Sequence, residues 1–192
     1  MTWTPEDRAP RQHEEIAVAR RKGLTIVYTG DGKGKTTAAL GLAFRAMGRR
    51  YRVAMVQFIK GKWKTGEAAM AQELAGRVDC FSLGDGFTWI TKNYEQDVAS
   101  ARKAWGKCLE LLGDERYHIV IFDELSYVLK YNFLAVEAVI EGLKRKPPRM
   151  HVVITGRDAP PELIDFADLV TEMREIKHPY QAGIKAQPGV DY

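Results

Sequence analysis

The chain lacks an apolar run near the roughly 20 residues that a helix needs to span a bilayer. Its first residues, M-T-W-T-P-E-D-R-A-P, contain no hydrophobic segment of the secretory type.

The chain has only two cysteines, Cys80 and Cys108. Their separation matches no metal-binding or redox motif, and we expect two buried, reduced thiols. Internal repeats and low-complexity tracts are lacking too. These absences favour a cytoplasmic protein without a membrane partner.

The composition is that of a soluble globular protein. Apolar residues make up 45% and charged residues 28% of 192 residues, which suits one domain with a substantial core. Residues 1–22 are polar and predict an N-terminal arm with a short helix around 14–21, and residues 23–192 predict the domain itself.

Positive charge is concentrated in one stretch of a chain whose net charge is only +4. Seven cations and no acid lie between Arg45 and Lys64. Such a cluster indicates an anionic ligand nearby, a solvated face, or a nucleic-acid surface. Stacking aromatics are not regularly interleaved with these cations, so we expect no nucleic-acid partner.

Short apolar runs alternate with helical patterns along the domain. Strands are predicted at 24–29, 52–58, 78–83, 118–122, 150–155 and 169–176, and those at 24–29, 52–58 and 118–122 have the apolar composition of buried parallel strands. Helices are predicted after residue 34, at 67–74, at 94–112, over a stretch bent near Asn132 that ends at Lys146, and at 161–167. The alternation predicts an α/β fold with a single doubly wound, mostly parallel sheet of five to six strands, followed by an aperiodic tail.

A glycine-rich loop, T-G-D-G-K-G-K-T, follows the first predicted strand and opens a helix, which is the context of a phosphate-binding P-loop. The usual pattern has glycine where Thr29 stands, so the strict match fails at that one position. Glycines in the loop allow backbone N–H groups to point at phosphate oxygens, and the helix adds its positive end. Lys35 supplies a cation and Thr36 a hydroxyl ligand for Mg²⁺. The nucleotide-binding candidates are Gly30, Asp31, Gly32, Lys33, Gly34, Lys35, Thr36 and Thr37.

Two acids, Asp123 and Glu124, end the predicted strand H-I-V-I-F-D-E. Ligands bind at this edge of a parallel sheet, and a carboxylate there can hold Mg²⁺ directly or through water. The residues therefore predict an α/β P-loop protein that binds Mg-ATP. They leave open an ordinary ATPase or phosphotransferase with Glu124 as base, and a RecA-like nucleic-acid-binding module.

From about Gly23 to Tyr192 the sequence resembles the P-loop-type ATP:corrinoid adenosyltransferases of vitamin B12 biosynthesis and salvage. The resemblance is carried by T-G-D-G-K-G-K-T-T, V-Q-F-I-K-G-K-W-K-T-G-E, G-D-G-F-T-W, F-D-E-L, I-T-G-R and I-K-H-P-Y-Q-A-G-I-K-A-Q-P-G-V-D-Y. The altered first position of the P-loop is also this family's pattern.

The resemblance implies that cobalt(I) of a reduced corrinoid attacks the 5′ carbon of ATP and that inorganic triphosphate leaves. In the family, ATP is held reversed, so that the loop grips the departing triphosphate with the help of Lys35. Thr36 and Glu124 then hold Mg²⁺ (or Mn²⁺), with Asp123 behind them. Arg45 and Arg157 are weaker candidates for nucleotide contacts.

For the corrinoid, the resemblance implies that Phe87 and Trp89 pack beneath the ring and keep a lower ligand off cobalt. It also implies an electron-donating reductase or flavoprotein and a homodimer in which the N-terminal arm covers the partner's active site. The tail residues Lys177, His178 and Lys185 match the family without an assigned role.

Overall fold

A computed structural model describes residues 21–59, 65–84 and 93–191. Its strands are β1 (Thr25–Thr29), β2 (Val53–Gln57), β3 (Val78–Ser82), β4 (Ile119–Asp123), β5 (His151–Thr155) and β6 (Leu169–Glu172). Its helices are α1 (Lys35–Gly48), α2 (Gly66–Glu73), α3 (Tyr94–Leu112), α4 (Leu125–Lys130), α5 (Val136–Lys144) and α6 (Pro161–Phe166).

The six strands form one sheet in the order β3-β2-β4-β5-β1-β6, and every pairing between them is parallel. The predicted α/β fold is confirmed, including the sixth strand, which ends at Glu172 instead of continuing to Ile176. Strand β5 lies between β1 and β4, although β1 carries the phosphate loop and β4 the acidic pair. The two candidate elements therefore face each other across the end of β5.

Successive residues of the central strands feed two separate cores, one on each face of the sheet. Ile26, Met55 and Ile121 pack with Ala39 and Ala43 of α1 on one face. The residues that follow them in each strand, Val27, Val56 and Phe122, pack on the other face against the helices α3 to α6. Because both faces are covered, these strands have no polar face, as their sequences predicted.

The long helix α3 occupies the predicted residues Tyr94–Leu112 and begins at Asn93, whose side chain accepts a hydrogen bond from the Gln96 amide at 3.2 Å. The prediction of one bent helix up to Lys146 is wrong. The chain forms α4 and α5 instead, because Asn132 takes a left-handed conformation (φ 55°) that interrupts the helix.

Of the two cysteines, Cys108 is fully buried as predicted, and burial raises the pKa of its thiol well above the ordinary value. Cys80 is only half-buried, since it lies on the edge strand β3, and the prediction for it is wrong. Residues 14–20 of the predicted helix, like the rest of the arm up to residue 20, lie outside the described residues. None of the described helices has the length and apolar character needed to cross a membrane.

Candidate active site

Each of the six strands ends on a polar residue, and these side chains line the carboxyl edge of the sheet. In sheet order the last residues are Ser82, Gln57, Asp123, Thr155, Thr29 and Glu172. The mostly apolar residues within the strands are followed at this edge by hydrogen-bonding groups, so this edge is where the fold can hold a polar ligand.

The phosphate loop lies against the segment that follows β6. Gly30 (φ 92°) and Gly34 (φ 109°) take backbone conformations that favour glycine. A Cβ at Gly30 would lie 2.4 Å from the Met173 carbonyl oxygen, and the Gly32 amide donates to that same oxygen at 2.7 Å. The glycines are therefore required both by the loop's conformation and by its close approach to the neighbouring chain.

Lys35, the first residue of α1, folds back over the loop. Its ammonium donates to the carbonyl oxygens of Gly30 and Gly32, both at 2.7 Å. Burial lowers the pKa of Lys35, and the negative charge of Glu124 partly opposes this shift. The cation is thus held inside the loop by neutral acceptors that an incoming anion can replace.

Thr36 and the acidic pair are joined by hydrogen bonds through the end of β5. The Thr36 and Thr155 hydroxyls both donate to Oδ1 of Asp123 at 2.7 Å, and the Glu124 amide donates to the Thr155 hydroxyl at 3.0 Å. Asp123 is fully buried, so its carboxylate orients the threonine hydroxyls from below the surface of the site.

Glu124 connects β4 to α4 in a left-handed conformation (φ 64°), which costs a residue with a side chain about 1–3 kcal/mol. Glu124 also lines a cavity beside the phosphate loop, which is described below. Strain of this kind is concentrated at functional sites, where it orients a side chain that an unstrained turn would direct elsewhere.

The oxygen groups of Thr36, Asp123 and Glu124 are of the type that Mg²⁺ and Mn²⁺ prefer. Across residues 21–59, 65–84 and 93–191, no three or more His, Cys, Asp or Glu side chains form a cluster able to hold a metal by themselves. A hydroxyl and one or two carboxylates fit the way Mg²⁺ binds in phosphate sites, where substrate oxygens and water complete its coordination.

A cavity of about 640 Å³ opens beside the loop and extends between α1 and α2. The loop residues 31–37 form its polar end, together with Glu124 and Arg157. Its other end is apolar and includes Leu40 and Phe44 of α1. The cavity therefore combines a site for anions with a wall suited to a flat, apolar group.

The predicted site residues fall into three groups. The loop residues 31–37, Glu124 and Arg157 line the cavity, while Gly30 and Asp123 lie behind it. Arg45 is exposed on α1 about 15 Å along the helix from Lys35 and is not part of the cavity lining, so its nucleotide contact stays a prediction. Phe87 and Trp89 lie outside the described residues.

The described arginines of the basic cluster, at 45, 49, 50 and 52, are not among the residues that line the cavity. Arg49 and Arg50 follow the far end of α1 and are exposed, and Arg52 pairs with Asp79 of β3 at 3.1 Å. Its three lysines, at 60, 62 and 64, lie outside the described residues. The arginines at 49, 50 and 52 thus lie toward the opposite edge of the sheet from the candidate site.

Two features of the site are not predicted by the sequence. Gln57, fully buried at the end of β2, donates to Glu67 at 3.0 Å and accepts from the Ser82 hydroxyl at 2.7 Å, which directs Glu67 toward the cavity. Its position at the end of a predicted strand was the available signal. The tail is the other feature: residues 189–191 line the cavity, and Asp191 forms an ion pair with Lys33.

Comparisons with known proteins agree with one another. Residues 21–192 match the family model described as ATP:corrinoid adenosyltransferase BtuR/CobO/CobP. The chain is 47% identical over 187 residues to a corrinoid adenosyltransferase of Sinorhizobium sp., covering 96% of this chain and 87% of the relative. It is 43% identical over 171 residues to a corrinoid adenosyltransferase of Escherichia coli K12, covering 89% of this chain and 86% of that protein.

A solved structure, the flagellar accessory protein FlaH of Methanocaldococcus jannaschii, resembles the fold with a TM-score of 0.57. The match covers 79% of this chain and 71% of that chain at 14% identity. At this identity the likeness concerns the arrangement of strands and helices alone.

Proposed function

Because the chain belongs to the ATP:corrinoid adenosyltransferase family, we propose that it transfers the 5′-deoxyadenosyl group of ATP to the cobalt(I) of a reduced corrinoid and releases inorganic triphosphate. The supporting observation is the combination of a phosphate loop, a buried lysine and Glu124 in one cavity that also has an apolar wall, with Asp123 directly behind it. The cavity thus offers one end to the triphosphate and room beside it for an apolar part of a substrate.

In this reaction the cobalt(I) electron pair forms a Co–C bond with the 5′ carbon, and the C5′–O bond breaks with its electrons leaving on the triphosphate. No side-chain nucleophile is needed. Negative charge grows on the leaving oxygen, and the loop amides and the Lys35 ammonium stabilise that charge where it develops. Lys35 exchanges its two carbonyl contacts for phosphate oxygens as the substrate binds.

Mg²⁺, or Mn²⁺ with similar oxygen ligands, neutralises part of the triphosphate charge when it is bound. Thr36 and Glu124 are the residues that would hold it. Asp123 and Thr155 position these two residues, because one accepts from the Thr36 hydroxyl and the other accepts from the Glu124 amide.

We assign the corrinoid side of the reaction to Phe87 and Trp89, on the basis of the family resemblance. Their apolar rings offer no lone pair to cobalt and would keep its lower face free of a ligand, which eases reduction to cobalt(I). A reductase or flavoprotein that supplies this electron, a homodimer and a cytoplasmic location complete the proposal.

The same loop and acidic pair would also serve an ATPase or phosphotransferase in which Glu124 activates water or a hydroxyl. The two functions differ in which bond of ATP breaks. Incubation with Mg-ATP and a chemically reduced corrinoid should give an adenosylated, light-sensitive corrinoid, detected by its absorption spectrum. Consumption of ATP without a Co–C bond, and without any need for the corrinoid, would favour the alternative.

Lys35→Ala is the test variant for this experiment, and Asp165→Asn is its matched control. Removing the cation at the leaving group should lower turnover by about 10²-fold or more, the scale of losing one donor to a developing charge. Asp165→Asn, on the exposed side of α6 and outside the cavity lining, should leave turnover unchanged. Activity of Lys35→Ala close to that of the parent protein would contradict the assigned role.

A further inference from the structure

We propose that Asp191 regulates the affinity of the phosphate loop for polyphosphate: its carboxylate holds the Lys33 ammonium and competes with the triphosphate for it, which promotes release of the leaving group. This inference rests on the proposed function, since it concerns the same loop. It assigns a positioning role to a residue of the tail, a segment for which the sequence suggested no mechanism.

The Asp191 carboxylate is fixed by a turn of its own segment. Its Oδ2 accepts from the Gln187 amide at 2.7 Å, and the Asp191 amide donates back to the Gln187 carbonyl at 2.8 Å. The Val190 amide donates to the same carbonyl at 3.2 Å. One carboxylate oxygen therefore anchors the turn, which leaves Oδ1 in a defined position.

Oδ1 of Asp191 is the atom that pairs with the Lys33 ammonium. The Asp191 side chain is only 12% exposed, whereas that of Lys33 is 48% exposed. The acid is thus the fixed partner and the lysine the mobile one, so Lys33 is free to turn toward another anion while Asp191 stays in place.

The pair lies at the polar end of the cavity. Gly189, Val190 and Asp191 line the same cavity as the loop residues 31–37. A polyphosphate bound along the loop would therefore meet Lys33 and, behind it, a carboxylate of the same sign as its own charge. Repulsion between the two anions weakens binding, and the effect is greatest for the species with the highest charge, which is the released triphosphate.

The two lysines of the loop differ in the partner that a phosphate must displace. Lys35 is held by two neutral carbonyl groups, so its charge remains available to an anion. Lys33 is already neutralised by Asp191. Lys35 therefore contributes its full charge to phosphate binding, whereas a phosphate must compete with Asp191 for Lys33. This competition limits how tightly the triphosphate product is retained.

The experiment measures the Kd of tripolyphosphate, as its Mg²⁺ complex, by calorimetry with the full chain. Asp191→Asn removes the charge while its amide oxygen can still accept from the Gln187 amide. We expect tripolyphosphate to bind about threefold to fivefold more tightly, the effect of one partly exposed ion pair, and the gain to shrink at high salt. Inhibition of adenosyl transfer by added tripolyphosphate should strengthen by the same factor.

Lys33→Gln tests whether the effect passes through the ion pair. In that background, Asp191→Asn should change the Kd far less than in the parent, since the competed cation is absent. Asp165→Asn, which removes an exposed carboxylate outside the cavity lining, should leave the Kd unchanged. Asp191→Ser, a second variant without the charge, should reproduce the tightening.

An unchanged or weaker affinity in both Asp191 variants, with thermal unfolding like that of the parent, would overturn the inference. An equal gain in the Lys33→Gln background would also overturn it, because the effect would then be independent of the pair. Failure of the parent protein to bind tripolyphosphate at all would instead contradict the proposed function of the loop, so the two failures are distinguishable.

Discussion

Thr36 donates its hydroxyl hydrogen to Oδ1 of Asp123 at 2.7 Å, which connects the helix after the phosphate loop to the end of β4. The two residues are 87 positions apart in the chain. They meet because β1 and β4 are the two neighbours of β5 and end at the same edge of the sheet. Thr155 at the end of β5 donates to the same oxygen. The contact places the proposed Mg²⁺ ligand and the acidic pair in one arrangement.

Thr155→Val tests whether this arrangement supports metal binding. The change removes a fully buried hydroxyl that donates to Asp123 and accepts from the Glu124 amide. We expect the free energy of unfolding to fall by about 1–3 kcal/mol, because buried polar partners lose their hydrogen bonds. The Mg²⁺ concentration for half-maximal adenosyl transfer should rise, as measured by titrating Mg²⁺ at saturating ATP.

Thr171→Val is the control for that variant, since Thr171 is an exposed residue of the edge strand β6. It should change neither the unfolding midpoint nor the Mg²⁺ requirement. A Thr155→Val protein that is less stable but has the parent's Mg²⁺ requirement would limit Thr155 to a structural role.

The buried ammonium of Lys35 predicts a proton linkage. Burial lowers its pKa from the ordinary value of 10.5, whereas a bound polyphosphate favours the charged form and raises the pKa. Between the free and bound pKa values, binding takes up a proton, so affinity for tripolyphosphate should fall as pH rises through that window.

Calorimetry at alkaline pH in two buffers of different ionisation enthalpy measures the proton uptake. Lys35→Met, which has no titrating group at this position, should show weaker binding and a smaller uptake. Proton release on binding, or the same uptake in Lys35→Met, would mean that another group is responsible.

Two glycine substitutions should have opposite effects on stability, because Gly142 lies at the contact between α3 and α5 and Gly106 lies on an open face of α3. A Cβ at Gly142 would lie 2.5 Å from the Trp105 ring and 2.9 Å from Cδ2 of Leu109, so Gly142→Ala should lower the free energy of unfolding by about 1–3 kcal/mol. Gly106 of α3 has open space around its Cβ position, and Gly106→Ala should raise stability by about 0.5–1 kcal/mol. Urea unfolding of both variants measures the difference. A Gly142→Ala protein as stable as the parent would show that α3 and α5 can move apart enough to accept a methyl group at no cost in stability.

The proposed role of Trp89 predicts a dependence on the starting oxidation state. Trp89→Ala should slow adenosylation from cobalt(II) under a mild reductant by about tenfold, which corresponds to about 1.4 kcal/mol, and should affect pre-reduced cobalt(I) much less. Tyr51→Ala, an exposed aromatic outside the cavity lining, serves as the control. Equal losses in both assays would limit Trp89 to shaping the pocket.

The sequence predicted the parts of the fold that depend on local patterns. Apolar runs located all six strands, and glycines at 30 and 34 marked the loop, because a positive φ is a local requirement. At Asn132 the sequence predicts a bend where the structure has a break, since a single left-handed residue leaves little trace in hydrophobic periodicity.

What the sequence could not predict depends on long-range contacts. Strand order decides that Thr155 joins Thr36 to Asp123, and no local pattern encodes that order. The pairing of Asp191 with Lys33 was missed because the tail has no periodicity to place it over the loop. Arg45 is not among the residues that line the cavity, although Phe44 and Met47 on either side of it are, so its nucleotide contact stays a prediction.

The identity of the phosphate product tests the central claim most directly. Phosphorus NMR of a reaction containing the protein, Mg-ATP and chemically reduced corrinoid should show inorganic triphosphate appearing in equal amount to the adenosylated corrinoid, with neither formed when the corrinoid is omitted. ADP and phosphate as the products, in amounts independent of the corrinoid, would contradict the claim that the loop grips a triphosphate leaving group.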